Sequence, residues 1–321
     1  MTIKKVTILG GAGFVGSSIV AKLDAAGYQV SVLTRHRERA KHLILLPNVQ
    51  VLACNINDNH ALMAALKDTD AVINLVGILH ENGKSSFEAM HHQLPRRVAQ
   101  MCEELGISRL LHMSALRAGK LAPSQYLRSK AAGEAAVSEF NKKLNITIFK
   151  PSVIFGRGDS FINLFANLIK FLPVVALAKP EAKFQPIWIE DVADAFVNAL
   201  QNTATYSQTY ELGGPTIYTL RELVQKVMAI LGKQRQIVGL NDGLSMAQGF
   251  MLELMPIKLM TRDNIRSMQV DNVCGASLAA ELNVVPTSLD VVAPEYLLDI
   301  SPRAGYDAFR SAAGRAINAR K

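Results

Sequence analysis

The stretch Val6-Thr7-Ile8-Leu9-Gly10-Gly11-Ala12-Gly13-Phe14-Val15-Gly16 decides how this chain is read. A β-branched run from Lys4 to Leu9 stops at Gly10. Helical spacing takes over at Phe14, with Val15, Ile19, Val20 and Leu23 on one face and Gly27 as the stop. Glycines at 10, 13 and 16, between a strand and a helix, meet the three demands of a dinucleotide turn. Gly10 permits a tight turn, Gly13 lets the backbone approach a pyrophosphate, and Gly16 lets the helix pack close to the sheet. The helix start at Phe14 and Val15 offers free N–H groups and a partial positive charge to phosphates. An ordinary glycine-rich loop is the competing reading, and the strand–turn–helix context argues against it.

Outward from the turn, strands and helices alternate. Tyr28–Leu33, Val49–Leu52, Ala71–Val76, Arg109–Met113 and Ile146–Phe149 read as strands. Ala61–Leu66, Leu94–Leu105 and Tyr126–Lys143 read as helices between them. Such alternation implies right-handed crossovers and a parallel sheet covered on both faces, hence a Rossmann-type doubly wound α/β fold. Beyond Pro151 the pattern loosens. Ile162–Leu172 reads as a helix, Phe184–Ile189 as a strand, and Thr219–Leu231 as a helix whose Thr219 and Glu222 form a capping box. The expected organisation is a dinucleotide-binding domain over 1–155, with returning elements from about 184–212. A smaller C-terminal α/β substrate domain spans 156–300, and a basic tail 301–321.

Composition narrows the class. Of 321 residues, 49% are apolar and 19% charged, which excludes a disordered chain. The net charge of +8 invites a nucleic-acid reading, but the charge is local. Residues 1–42 hold seven Lys/Arg against two acids, the last 21 residues hold five against one, and the rest is nearly neutral. A nucleic-acid binder spreads a basic face over the fold, so no nucleic-acid partner is expected. Cys54, Cys102 and Cys274 form no CxxC pair and His91, His92 and His112 show no ligand spacing, so neither disulfides nor a metal site are expected. Each histidine reads as satisfied or solvated. With neither a signal peptide nor a transmembrane stretch apparent, a cytoplasmic location is expected, with peripheral membrane contact as the variant.

The end of the second strand bears on the cofactor. NAD binders place an acid there for the ribose 2′-hydroxyl. Here the chain runs Leu33-Thr34-Arg35-His36-Arg37, followed by Arg39 and Lys41. A guanidinium suits a 2′-phosphate by charge and by bidentate geometry, so NADP(H) is favoured over NAD(H), with Arg35 as the contact.

The GxxGxxG spacing of Gly10, Gly13 and Gly16 resembles the extended and atypical branch of the short-chain dehydrogenase/reductases. Further likenesses follow in order. Asn55-Ile56 stands where that family has Asp-Leu beside the adenine. Val76-Gly77 matches the exit of strand four beneath the cofactor. Lys150-Pro151-Ser152-Val153 resembles the segment lining the nicotinamide, and Pro186-Ile-Trp188-Ile-Glu-Asp191-Val-Ala193 resembles Pro-Ile-His-Val-x-Asp-Val-Ala.

Tyr126-Leu-Arg-Ser-Lys130 supplies a candidate acid/base. A YxxxK spacing alone is weak evidence, but this one opens a helix after the strand ending at Ser114. The i, i+4 spacing places both side chains on one helix face. A free phenol, with a pKa near 10, is a poor base at neutral pH. An ammonium at Lys130 beside an oxidised nicotinamide would lower it. Tyr126 would then exchange a proton with a substrate oxygen held by Ser114, and Lys130 would also hold the nicotinamide ribose. The resemblance implies the same roles.

The likeness is strongest to the group containing the NADPH-holding accessory subunit of respiratory complex I. Thr34-Arg35, Lys150-Pro-Ser152 and Ser129-Lys-Ala-Ala-Gly-Glu-Ala-Ala-Val137 carry it. Two functions are therefore expected. The first is an NADP(H)-dependent oxidoreductase or epimerase-type enzyme transferring hydride at a carbonyl or secondary alcohol; its substrate would be a nucleotide sugar, a quinone or another carbonyl compound. The alternative is a non-catalytic NADPH-binding accessory or assembly protein in contact with a respiratory complex. Leu244–Met260, with Met246, Met251, Met255, Met260 and Phe250, is expected to pack in a core or oligomer interface. Its alternative is a lip over a greasy substrate or a shallow membrane contact.

Overall fold

The structure is a computed structural model that describes residues 2–83, 85–255 and 259–298. Its first half alternates β1 (Lys5–Leu9), α1 (Phe14–Ala25), β2 (Gln29–Thr34), β3 (Val49–Ala53), α2 (Asn59–Leu66), β4 (Ala71–Asn74), α3 (Leu94–Glu104), β5 (Arg109–Met113), α4 (Gln125–Ser138) and β6 (Asn145–Pro151). There follow β7 (Ile154–Phe155), α5 (Ile162–Phe171), β8 (Val174–Ala178), β9 (Lys183–Phe184), β10 (Ile187–Trp188) and α6 (Ile189–Gln201). The last part holds β11 (Gln208–Leu212), β12 (Tyr218–Thr219), α7 (Leu220–Ile230), β13 (Gln236–Leu240), α8 (Asp242–Glu253), α9 (Arg262–Ser267) and α10 (Leu289–Leu297).

Seven strands form one sheet in the order β11-β6-β5-β4-β1-β2-β3, every neighbouring pair parallel. The order reverses between β1 and β4, and a crevice for a ligand opens at such a switch point, beyond the carboxyl ends of the strands. Alternation along β1 sends Val6 and Ile8 to one face, where α1 and α6 add Ile19, Leu23 and Phe196. The opposite face buries Leu9 and Leu33 with Leu62, Leu94 and Val98 of α2 and α3. A third apolar cluster joins α5, α7 and α10 through Phe165, Leu223 and Ala293. The small strand pairs β7–β10, β8–β13 and β9–β12 belong to this second half of the chain.

Several elements depart from the sequence expectation. Phe184–Ile189 is not one strand. Pro186 has no N–H to give to a ladder, so the run splits into β9 and β10, and α6 starts at Ile189. α2 begins at Asn59 because Asp58 caps it, accepting from the His60 and Ala61 amides at 2.9 and 3.2 Å. A one-turn π-helix, Glu88–Gln93, precedes α3; Pro95 just inside α3 supplies no amide for a regular turn there. α4 ends at Ser138 rather than Lys143. The described part of the Leu244–Met260 segment does not pack in the core. α8 turns Ser245 and Gly249 inward and leaves Phe250, Met251, Leu254 and Met255 exposed. The basic tail 301–321 lies outside the described residues.

Candidate functional site

The glycine turn adopts the shape its sequence demands. Gly10 sits at φ +81°, and its carbonyl accepts the Gly13 amide at 3.0 Å. Gly13 is the N-cap of α1 and no side chain caps the helix, so its leading amides face outward without a local partner. A Cβ on Gly16 would lie 2.3 Å from the Gly10 carbonyl oxygen and 2.6 Å from the Gly11 Cα. The helix can meet the turn this closely only with glycine at 16. Phe14 and Val15 open α1, and the Phe14 ring reaches Gly156, within 3.7 Å of where a Cβ would stand. The turn thus meets the Pro151–Gly156 segment across the switch point.

The other residues expected beside the cofactor lie at or just past the carboxyl ends of β2, β3, β4 and β6. Arg35 is exposed at the end of β2, and a 3-10 helix, Arg37–Leu45, follows it. Within that helix Lys41 pairs with Glu38, so this cation already has an internal partner. Asn55 spends one lone pair on the Asn57 amide at 3.2 Å, in a turn just past β3 beside half-buried Ile56. Val76 donates its amide to the buried Asn74 side chain at 3.2 Å, and exposed Gly77 follows it. Pro151 ends β6, and Val153 donates to the Asn272 side chain at 3.2 Å.

Ser114, Tyr126 and Lys130 converge at the ends of β5 and α4. Lys130 is buried, 3% exposed, and its Nζ donates to the Met113 carbonyl at 3.1 Å. A Cβ on Gly77 would stand 3.3 Å from that Nζ and 3.6 Å from Nε2 of His91. Burial pulls the Lys130 ammonium down to about 8, against the opposing pull of Glu134. Tyr126 packs edge-on to the His91 ring with centroids 5.5 Å apart and against Phe87 at 6.1 Å. Burial pushes its phenol up to about 12. The lowering expected from Lys130 beside an oxidised nicotinamide does not appear in the protein's own field, where desolvation of the phenolate sets the direction. Ser114 does not face the substrate space with a free proton. Its hydroxyl donates to Glu134 Oε1 at 2.5 Å, and Lys150 donates to Glu134 Oε2 at 3.1 Å.

Four contributors escaped the sequence reading. Glu134 lies two turns beyond Tyr126 on the face that carries Lys130, a spacing that was visible. His91 is satisfied, as expected, by the Ile78 amide at 3.0 Å and Ser129 at 2.8 Å, yet it lies against Tyr126. Asp263 of α9 accepts the Gln125 and Tyr126 amides at 2.8 and 2.9 Å, capping the helix that carries Tyr126 and Lys130. Asn272 accepts from Ser152 Oγ at 2.5 Å and from the Val153 amide. No local signal announces either of these last two. The expectation for His112 needs correction. Its Nδ1 meets Asn74 at 3.4 Å, but its buried Nε2 has no partner among the described residues. Burial holds both His91 and His112 neutral, pulled down to about 3.

A seven-stranded parallel sheet, a glycine turn against a bare helix start at its switch point, and a Tyr–Lys pair on one helix define a dinucleotide-binding α/β protein. A family model described as the NAD dependent epimerase/dehydratase family matches residues 6–213, and the chain belongs to that family. It is 32% identical to the mouse NADH dehydrogenase (ubiquinone) 1 alpha subcomplex subunit 9, mitochondrial, over 91% of this chain and 79% of that protein. Two solved structures share the fold. One is DesIV, a dTDP-glucose 4,6-dehydratase from Streptomyces venezuelae, as a double mutant with NAD and DAU bound. It has a TM-score of 0.74 at 20% identity, covering 95% of this chain and 99% of that one. The other is the NADPH-dependent quinone oxidoreductase QOR2 from Escherichia coli with NADPH. Its TM-score is 0.72 at 16% identity, covering 92% of this chain and all of that one.

Proposed function

We propose that this chain binds NADP(H) and transfers hydride at a carbonyl or secondary-alcohol carbon, with Tyr126 as the acid/base. The buried Lys130 ammonium carries this reading. Among the described residues it has one hydrogen bond, to the Met113 carbonyl, and it sits beside Gly77 at the switch point. Burying an ammonium with so little compensation is costly, and a scaffold has no need of it. A nicotinamide, when bound, accepts or supplies the hydride.

The chain's own residues do the rest. Gly10, Gly13 and Gly16 with the α1 start receive the pyrophosphate, and Arg35 receives the 2′-phosphate. Asn55 and Ile56 border the adenine, and Val76, Gly77, Pro151 and Val153 line the nicotinamide. Tyr126 Oη, neutral at pH 7, gives its proton to a carbonyl oxygen as the alcohol forms and takes it back in reverse. Residues 1–155 with the elements from 184–212 form the cofactor half, and 156–300 the substrate half. A nucleotide sugar or a quinone is the substrate class under this reading.

One observation favours a second reading. The mouse relative is named as a subunit of NADH dehydrogenase, so this chain would be an NADPH-holding accessory protein at a respiratory membrane. No helix among the described residues is long and apolar enough to cross a membrane. Mass spectrometry of the cofactor retained by the purified protein, then turnover assays on nucleotide sugars and quinones, separates the two. Hydride transfer that Tyr126→Phe abolishes while NADPH binding survives supports the enzyme. Retained NADPH with no turnover supports the accessory protein, and a fully active Tyr126→Phe removes the acid/base role.

A further inference from the structure

Glu134 lies outside the Ser114–Tyr126–Lys130 set but touches or faces most of it. Tyr126, Lys130 and Glu134 follow one another at four-residue steps along one face of α4. The carboxylate of Glu134 spans two strand ends, taking the Ser114 hydroxyl beyond β5 at 2.5 Å and the Lys150 ammonium in β6 at 3.1 Å. Lys150 also donates to the Ala118 carbonyl at 3.3 Å, which fixes its direction. Ser114 is 3% exposed, so its rotamer is confined.

A serine hydroxyl owns one proton and two lone pairs. Once that proton is given to Glu134, only lone pairs remain for the substrate space. We propose that Glu134 is a positioning residue that fixes Ser114 as a hydrogen-bond acceptor and sets a negative charge one turn from Lys130. The group that Ser114 recognises is then a donor: a substrate hydroxyl other than the reacting one, whose proton Tyr126 exchanges, and not a carbonyl oxygen. The proposal rests on the hydride-transfer reading for the roles of Ser114 and Lys130, and it leaves the reacting oxygen to Tyr126.

The groups facing Lys130 are few. Tyr126 and Glu134 come from its own helix, His91 from the π-turn, His112 and the Met113 carbonyl from β5, and Gly77 from the loop after β4. Both histidines stay neutral, held so by burial and by the Lys130 charge itself. Glu134 is the carboxylate that sustains it.

Two measurements test the proposal, neither of which uses turnover. The first is a double-mutant cycle on unfolding stability with Glu134→Ala and Ser114→Ala in the holo protein. Coupling is expected, so that Ser114→Ala costs almost nothing once Glu134 is gone. Additive effects would overturn the assignment. The second is NADPH affinity against pH, followed by cofactor fluorescence. The wild-type protein is expected to lose affinity as pH rises through about 8, where Lys130 gives up its proton. In Glu134→Gln, which keeps the shape and an acceptor oxygen, that limb is expected at lower pH. In Lys130→Met it should vanish. A limb that Lys130→Met removes and Glu134→Gln leaves in place sinks the Glu134 role alone. If Lys130→Met leaves the limb unchanged, the reading of Lys130 as a cofactor ligand fails, and the mutant cycle still decides the Ser114 contact.

Discussion

Replacing Gly16 with alanine tests the geometry of the cofactor turn against helix propensity. In an open helix the change would stabilise by about 0.5–1 kcal/mol, because glycine gives up more backbone entropy. At Gly16 the new Cβ would stand 2.3 Å from the Gly10 carbonyl oxygen, 2.6 Å from the Gly11 Cα and 2.8 Å from the Gly11 carbonyl carbon. Ordinary contact starts at 3.4 Å, so the turn and the helix must part by about 1 Å. Gly10 cannot retreat easily, since a Cβ on it would already lie 3.1 Å from the Leu75 carbonyl carbon. Overpacking of this kind costs about 1–3 kcal/mol, which exceeds the propensity gain. The expected net loss is about 1–2 kcal/mol, seen as a Tm lower by roughly 2–6 °C. Displaced amides should also weaken NADPH binding about 10- to 100-fold, since each hydrogen bond to a charged group is worth about 1.5–3 kcal/mol. Thermal unfolding with and without NADPH, plus a fluorescence titration, measures both effects. Gly243→Ala is the control: it lies in α8, and a Cβ there would meet only the Asn241 side chain at 3.6 Å. It should leave the Tm unchanged or slightly higher. A Gly16→Ala protein as stable as the parent, with affinity within about two-fold, would refute the close-approach argument.

Other outcomes follow from buried polar groups. Arg109, 1% exposed, donates to the carbonyls of Leu200, Ala199 and Asn145 and to Thr205 Oγ1 at 2.7–3.1 Å, sealing the end of α6. Arg109→Met should cost about 3–5 kcal/mol in urea unfolding, because it strands those acceptors. Asp263→Ala removes the acceptor of the Gln125 and Tyr126 amides but leaves the Ser124 cap of α4, and a loss of about 1 kcal/mol is expected in urea unfolding. His91 and His112 titrate at about 3 in the fold and near 6.5 when unfolded. Their contribution is fully present above pH 6.5 and is lost as pH falls toward 3, by at most about 1.4 kcal/mol per unit for each. A Tm-against-pH curve should steepen over that window and flatten in His112→Gln.

The sheet was legible because each of its inner strands is a short apolar run between helical spacings, and the glycine turn marked the switch point directly. Tyr126 and Lys130 were legible because both lie on one helix at a spacing their chemistry requires. Ser114 was placed correctly at the end of β5, but its partner was not. That depends on a glutamate of α4 meeting a strand end, a tertiary fact with only a helical repeat to hint at it. Asp263 and Asn272 have no local signature at all, since their partners lie 138 and 120 residues away. The core packing expected of α8 failed for the opposite reason, while its oligomer alternative stays an expectation. Its residues are apolar, but Ser245 and Gly249 are the ones that meet the body, and Gly249 lies where a Cβ would come within 2.6 Å of Ile265.

The reach of Asp263 back to Tyr126 has a consequence for the order in which the molecule is made. The last strand of the large sheet ends at Leu212, so the ribosome can release the whole sheet before the α4 cap exists. At about 5–20 residues per second, residue 263 emerges roughly 3–10 seconds later. During that interval the nascent chain can hold the glycine turn while the start of α4 has only its local Ser124 cap. The glycine turn and the large sheet are therefore complete in the nascent chain before the start of α4 gains its long-range anchor at Asp263.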